Sequence, residues 1–279
     1  MTDARDGSQA TDEERATLLA AYDAQLRGAA EMQGAVSWDR SGPLWRAVSR
    51  RGGFVSYESL ADVGTTEAVD ALIAETVDFY AGHPEVEEFE WKTRGHDWPP
   101  DLDARLRAHG LVPDEIETVM VGEAARLAVD VELPDGVTVR RVDQLPERAA
   151  LVTEASAVAA EIFGGGPSGE EMLDRLDRME GREQFWVAEA ETDQGRHVVC
   201  SGRLALVENT EFAGIWGGST LPEWRGKGIY RALTAARARA ALDEGVRYLN
   251  SDCTVMSRPI LERSGLIAVS TTTPYVWKR

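Results

Sequence analysis

An apolar stretch, Ile215 to Thr220, runs directly into Leu221-Pro222-Glu223-Trp224-Arg225-Gly226-Lys227-Gly228-Ile229-Tyr230-Arg231 and on into an alanine-rich helix. No other segment restricts the fold as much. A strand that enters a helix through two glycines leaves the first N–H groups of the helix pointing outward, and the helix dipole favours an anion there. Glycine also lets the backbone approach a phosphate closely, because no Cβ intervenes. Between positions 223 and 239, five basic residues (Arg225, Lys227, Arg231, Arg237, Arg239) stand against one acid, Glu223, in a chain whose net charge is −18. The ordered set of strand, proline, Arg-Gly-Lys-Gly and helix reads as a pyrophosphate cradle, in preference to an ordinary strand–turn–helix joint with solvated arginines.

These residues resemble motif A of the GNAT superfamily, the acyl-CoA-dependent N-acetyltransferases, written Arg/Gln-x-x-Gly-x-Gly/Ala. Arg225 and Gly228 match it, while Tyr230 stands where Gly or Ala is usual. The resemblance runs from about Val137 to Trp277, and its far end, Ser257 to Leu266, is similar to the family's last helix and the turn after it. It implies an α/β (α+β) fold, with a central mixed, mostly antiparallel sheet flanked by helices. It also implies acetyl-CoA as the acyl donor. The loop from Arg225 through Gly226, Lys227, Gly228, Ile229 and Tyr230 to Arg231 would hold the pyrophosphate. Ser219, Thr220 and Leu221 would run beside the pantetheine arm, with Thr254 and Ser257 near it. The chain departs from the family at two further places: Thr254 replaces a frequent Asn, and Leu261 replaces a frequent acidic Tyr.

The remaining sequence divides at Val131-Glu132-Leu133-Pro134-Asp135-Gly136, a linker combining a proline with an Asp-Gly turn. Residues 137–279 form the expected acyl-CoA-binding catalytic unit, and residues 1–130 a preceding partial unit. Leu106-Arg107-Ala108-His109-Gly110-Leu111 parallels Leu261-Glu262-Arg263-Ser264-Gly265-Leu266, and Thr118–Val121 parallels Thr273–Val276 at the same offset. Nothing in the first half supplies Arg-x-x-Gly-x-Gly, so that half reads as a degenerate GNAT-like copy. Its pattern predicts a helix from Thr11, capped by that threonine with Glu14, to about Ala30; an irregular stretch from Trp38 to Pro43; a strand over 54–60; and a helix over 65–80. Asp97 ahead of Pro99-Pro100 reads as the cap of a proline-started helix. Gly217-Gly218 suggests a bulge in the strand that leads to the motif, or simply a glycine-weakened strand.

Charge bears on partners. Residues 1–133 carry 27 acids and 12 bases, net −15; residues 134–279 carry 21 acids and 18 bases, net −3. Such acidity argues against nucleic acid and anionic membranes and suits a cationic amine acceptor. There is no apolar run of about 18 residues, and the start is polar and acidic, so neither a membrane span nor a secretory signal is expected. The two cysteines, Cys200 and Cys253, give no disulfide framework and no metal spacing, which makes a cytoplasmic setting with free thiols the default. The sequence leaves monomer and homodimer open.

Acetyl transfer from a thioester needs a neutral amine and a held oxyanion. An alkyl amine with a pKa near ~10 must lose a proton, whereas a thiolate, with a parent pKa near ~8.5, leaves with little help. Backbone N–H groups near Ser219–Leu221 can hold the thioester oxygen. Glu211, placed on the same strand, and Asp252, ending the next, are the candidate bases. Tyr275, Tyr230, Ser257 or water can stand in for the missing tyrosine acid. The expected reaction is direct attack of a small-molecule amine on acetyl-CoA in a ternary complex. The alternatives are a non-catalytic acyl-CoA-binding module and a protein acetyltransferase.

Overall fold

The computed structural model describes residues 10–49, 52–193 and 195–279. The first half contributes α1 (Asp12–Leu26), β1 (Ser37–Ser41), β2 (Leu44–Val48), β3 (Gly52–Tyr57), α2 (Thr66–Ala81), β4 (Glu88–Arg94), α3 (Leu102–Ala108), β5 (Val112–Pro113), β6 (Glu117–Glu123) and the short α4 (Ala124–Leu127). The second contributes β7 (Val137–Arg141), α5 (Arg148–Phe163), α6 (Gly169–Arg178), β8 (Glu183–Thr192), β9 (Gly195–Leu206), β10 (Phe212–Thr220), α7 (Ile229–Asp243), β11 (Tyr248–Cys253), α8 (Arg258–Ser264) and β12 (Ile267–Lys278).

All twelve strands join one sheet in the order β1-β2-β3-β4-β12-β6-β11-β10-β9-β8-β7, with β5 beside β12. Among the described residues only β3/β4 and β10/β11 pair in parallel. The halves exchange their last strands. β6 of the first half pairs with β11 of the second, and β12 of the second pairs with β4 of the first. The two exchanged strands also pair with each other. The internal repeat marks this exchange, because each copy is a short helix, a glycine turn and the strand that crosses over. Gly110 and Gly265 occupy the same place in the two copies, at φ +86° and +108°, conformations that a Cβ disfavours.

Strand alternation sorts the helices by face. Leu249, Met120 and Cys253 point toward α7 and α8, packing with Ala238, Ala241 and Leu261. Phe89, Trp91 and Tyr275 pack with Val69, Ile73 and Tyr80 of α2 and Leu102 and Leu106 of α3. On the opposite face, Val119, Val121, Phe212 and Tyr248 take Leu18, Tyr22 and Leu26 of α1. Phe185, Val187 and Val198 take α5 and α6 on that side. Local signals start these helices. Thr11 accepts from the Glu14 N–H, Thr65 from the Ala68 N–H, and Ser168 with Glu171 closes a reciprocal capping box.

Several sequence expectations are revised. Positions 37–48 form the β1/β2 hairpin rather than an irregular stretch. The first helix stops at Leu26, and a 3-10 turn over Gly28–Met32 follows. Asp97 caps no helix: it is buried between Arg27 (2.7 Å) and the Tyr57 hydroxyl (2.6 Å), and α3 begins after Asp101.

Candidate functional site

β10 and β11 pair only over Phe212–Gly214 and Tyr248–Asn250. Beyond that point the strands part, so the edge of β10 that leads to the motif has no strand partner on the β11 side. A register shift between Trp216 and Ser219 on the β9 side, with Gly217 at φ +61°, provides the bulge that the glycine pair suggested. Gly218 is required by contact, because a Cβ there would collide with the Tyr230 ring. The side chains of Ser219 and Thr220 turn to β9, bonding Ser201 (2.9 Å) and Cys200 (3.2 Å), so only their backbone is available to a ligand in the gap.

The loop is built as an anion cradle. Pro222–Trp224 forms a 3-10 turn, and Arg225 Nε donates to the Thr220 carbonyl at 3.0 Å, tying the turn to its strand. Gly226 and Gly228 have φ of +74° and +78°, and Gly228 is the N-cap residue of α7. No side chain caps α7, so its first N–H groups remain open. Buried Ile229 anchors the helix start, Arg231 is exposed, and Lys227 Nζ sits 4.5 Å from the Trp224 ring centroid. Thr254 and Ser257 occupy the turn after β11, where the Ser257 N–H bonds the Thr254 carbonyl. β10 and β11 run parallel, so this turn and the loop lie at the same end of the sheet.

The first half has no such cradle. A Cβ on Gly53 of β3 would overlap the Tyr80 ring, so α2 sits directly against the strand. The start of α2 is closed by the Thr65 hydroxyl, and its first turn is acidic at Glu67.

Two of the candidate catalytic residues lie outside the cleft. Glu211 precedes β10 at the end opposite the loop; nine strand residues separate them, about 30 Å. It is half-exposed and engaged by Gln25 (3.1 Å) and Arg247 (3.7 Å). Tyr275 lies on the exchanged strand β12 opposite Trp91, in the core of the first half, and its hydroxyl donates to Asp103 at 2.5 Å. Burial first, then that acceptor, push the Tyr275 phenol well above its ordinary range. Leu261 is fully buried.

Asp252 does lie at the centre, in a buried ion cluster assembled from residues far apart in the chain. Lys92 of β4 donates to Asp252 Oδ2 at 2.6 Å and lies 3.2 Å from Glu31, which Arg94 holds at 2.8 Å. Ser56 also donates to Glu31, and Arg94 Nε to the Tyr22 hydroxyl at 2.8 Å. Burial opposes ionisation of Glu31, but Arg94 and Lys92 override it and hold the carboxyl down at about 2. Glu117, on the exchanged strand β6, shares this face. Burial and then the nearby Asp252 charge push it up to about 7. Sequence reasoning missed this cluster; its one signal was charge at alternate positions of β4, Glu88, Glu90, Lys92 and Arg94, about the apolar Phe89 and Trp91.

Beside the cluster lies a cavity of about 220 Å³, walled by Tyr22, Leu26, Glu31, Gln33, Phe54 and Lys92 from the first half and by Arg175, Met179, Gly214, Trp216 and Asn250 from the second. Two buried oxygens on one face of β11, Asn250 Oδ1 and Asp252 Oδ1, have no hydrogen-bond partner. Such atoms are expensive to leave bare, and both are acceptors awaiting a donor. Among the described residues no cluster of three or more metal-ligating side chains occurs, and no helix is long and apolar enough to cross a membrane.

No family model and no curated protein matches the chain. Solved structures do. A GCN5-related N-acetyltransferase from Kribbella flavida is similar at TM-score 0.63 and 17% identity, over 89% of this chain and 93% of that one. A tandem GNAT protein from the clavulanic acid biosynthesis pathway is similar at TM-score 0.65 and 15% identity, over 97% and 96%. A GCN5-related N-acetyltransferase from Sphaerobacter thermophilus gives TM-score 0.57 and 20% identity, over 85% and 76%. Over nearly its whole length, the chain has the fold of the GNAT N-acetyltransferases.

Proposed function

We propose that the protein transfers an acetyl group from acetyl-CoA to the amine of a small molecule bound between its two halves. The observation that carries this reading is the parting of β10 and β11 after Gly214 and Asn250, which both line the cavity, toward the sheet end where the uncapped α7 begins. The loop amides of Gly226–Arg231 receive the pyrophosphate, and the open edge of β10 receives the pantetheine arm. An ammonium in the cavity first gives one proton to the Glu117 carboxylate; the neutral amine then donates to Asn250 Oδ1, which orients its lone pair toward a thioester lying in the gap. The nitrogen attacks the thioester carbonyl, and backbone N–H groups around the Gly217 bulge steady the oxyanion. The C–S bond then breaks, CoA leaves as the thiolate, and a second amine proton passes to the carboxylate pair of Asp252 and Glu117.

One observation favours a non-catalytic acyl-CoA-binding module instead: Leu261 is buried and Tyr275 belongs to the other half's core, so neither provides an acid for the leaving thiolate. A thiolate needs little such help. Calorimetry with CoA followed by a thiol-release assay over a panel of amines separates the readings. Saturable CoA binding with acetyl-CoA turnover on at least one amine is expected; CoA binding with no turnover on any amine would favour the silent module. Solubility, a cytoplasmic setting and a small-molecule partner belong to this proposal.

A further inference from the structure

Where the cavity leaves Asn250 it meets a second set of charges that acetyl transfer does not use. Arg175 of α6 lines the main cavity and also an adjoining one of about 150 Å³ that shares Glu31, Gln33 and Phe54. Its Nε donates to Glu183 at 2.6 Å. That same carboxylate, fully buried, also holds Arg203 at 2.5 Å. Behind them Arg237 is completely buried, donating to the Arg203 carbonyl (3.0 Å), the Leu233 carbonyl and the Thr234 hydroxyl and lying over the Tyr230 ring. Among the described residues no carboxylate lies within ion-pair distance of Arg237.

Two guanidinium groups therefore share the Glu183 carboxylate, and a third, Arg237, stands nearby without one, in a protein of net charge −18. Burial, with Arg175 and Arg237 close by, holds the Arg203 cation below its ordinary range despite Glu183. The other charges lining the cavity, Glu31 and Lys92, pair with each other and with Arg94 and Asp252 behind them. Among the described residues neither terminal nitrogen of Arg175 has a partner. A half-buried guanidinium whose fork has no protein partner, with Arg203 and the buried Arg237 behind it, suits a carboxylate bound side-on. The cavity that Arg175 and Asn250 both line also has an apolar part, Leu26, Ala30, Phe54, Met179 and Trp216, beside the paired Glu31 and Lys92.

Resting on the acetyl-transfer reading, we propose that the acceptor is a zwitterion, an amine that also carries a carboxylate: Arg175 binds the carboxylate, Asn250 receives the amine, and the apolar part of the cavity accommodates the chain between them. The carboxylate contact forms before any bond is made or broken, so selectivity can be read in binding as well as in rate.

The probes are a homologous series of ω-amino acids and the alkylamines of the same chain lengths, measured by calorimetry on the CoA-saturated protein and by thiol release with acetyl-CoA. An optimum length is expected at which the amino acid exceeds its matched alkylamine by about tenfold or more in affinity or kcat/KM. Arg175→Gln should bring that ratio toward one, and Arg175→Lys, which keeps the charge without the fork, should leave an intermediate ratio. Glu183 keeps Arg203 as a partner in both variants, and an unchanged melting temperature with CoA bound checks the fold. Equal handling of the two series, absence of binding by either, or a ratio unaffected by Arg175→Gln overturns the proposal. Failure of CoA to bind sinks the acetyl-transfer reading itself. Amino-acid binding that depends on Arg175 but proceeds to no turnover upholds the anion site while removing catalysis.

Discussion

Lys92→Met tests whether the ion cluster holds the two halves together. Lys92 is on β4 of the first half and Asp252 on β11 of the second, separated in the sheet by β12 and β6. The side chains of Lys92 and Asp252 are 15% and 6% exposed, so little water replaces a lost partner. Asp252 Oδ1 already has no donor, and removing Lys92 takes the donor from Oδ2 as well. Glu31 keeps Arg94 and Ser56. The variant thus strands one buried carboxylate, and breaking a buried pair in this way costs about 3–5 kcal/mol. For a chain of this size that lowers Tm by about 10 °C.

Urea unfolding followed by circular dichroism measures the effect, as a shift of midpoint at constant slope. Asp252→Asn in the Lys92→Met background removes the stranded charge, so the double variant should recover about 2 kcal/mol relative to the sum of the two single changes. A single transition is expected, because each half's sheet is completed by a strand of the other. A loss below about 1 kcal/mol for Lys92→Met, set against the cost of a broken buried pair, or strict additivity of the two changes, would refute the picture of a desolvated pair joining the halves.

Gly228→Val should weaken CoA binding about tenfold, or about 1.4 kcal/mol, because φ +78° is closed to a β-branched residue and the cradle must rearrange; unchanged affinity in calorimetry would remove the loop from the site. CoA should bind once per chain, since Tyr80 fills the place against Gly53 and Thr65 closes the start of α2; two equivalent sites in a titration would contradict this. Glu117, pushed up to about 7, changes charge near neutrality, so kcat should climb as pH rises through about 7 and Glu117→Gln should abolish that limb with a ~10²-fold or greater loss. A pH–rate profile identical in Glu117→Gln would exclude it as a proton acceptor. Stability carries the opposite sign: a carboxyl raised from 4.5 disfavours folding once ionised, so native stability should fall between about pH 4.5 and 7, and less so in Glu117→Gln.

The geometry of the loop before α7 was legible in the sequence and the cavity between the halves was not, for a physical reason. A phosphate loop is a local object. The αL glycines, the proline turn, the uncapped helix start and the bulge at Gly217-Gly218 follow one another along a single short stretch, and their meaning depends on backbone geometry alone. The repeat was legible too, because Leu106–Leu111 and Leu261–Leu266 meet the same steric demands in each half. Which strand each copy joins was not written locally. A strand's pattern tells which residues share a face, not which neighbour it takes, and β6, buried on both faces over Val119–Gly122, names no partner. Tyr275 was therefore assigned to the catalytic half although the exchange carries it to the other. Glu211 failed through direction: it is adjacent to the right strand but at the wrong end. Asn250, Lys92, Glu31 and Arg175 meet only once the sheet is closed.

The exchange also explains what a half without a phosphate loop contributes. β11 is the outer wall of the cleft, and its second neighbour in the sheet is β6, from the first half. Without β6 that wall would be an unpaired edge next to the reacting centre, free to bend and to recruit other strands. β6 supplies the hydrogen-bonded register from Thr118 to Glu123, and with it Glu117 beside Asp252. β4 supplies Lys92, and α1 with the turn after it supplies Tyr22, Leu26, Ala30 and Glu31 to the cavity. In return β4 is completed by β12, whose Thr272–Lys278 run pairs with Arg94–Glu88. Neither half has a finished sheet by itself, so the first half has a structural role without any such loop of its own. The electrostatics point the same way: the acidic first half contributes the cations Lys92 and Arg94 at the join, where the C-terminal half presents Asp252. Under the proposed function the division of labour is between donor and acceptor, with the loop of the second half for the anionic CoA and the interface of both for the amine.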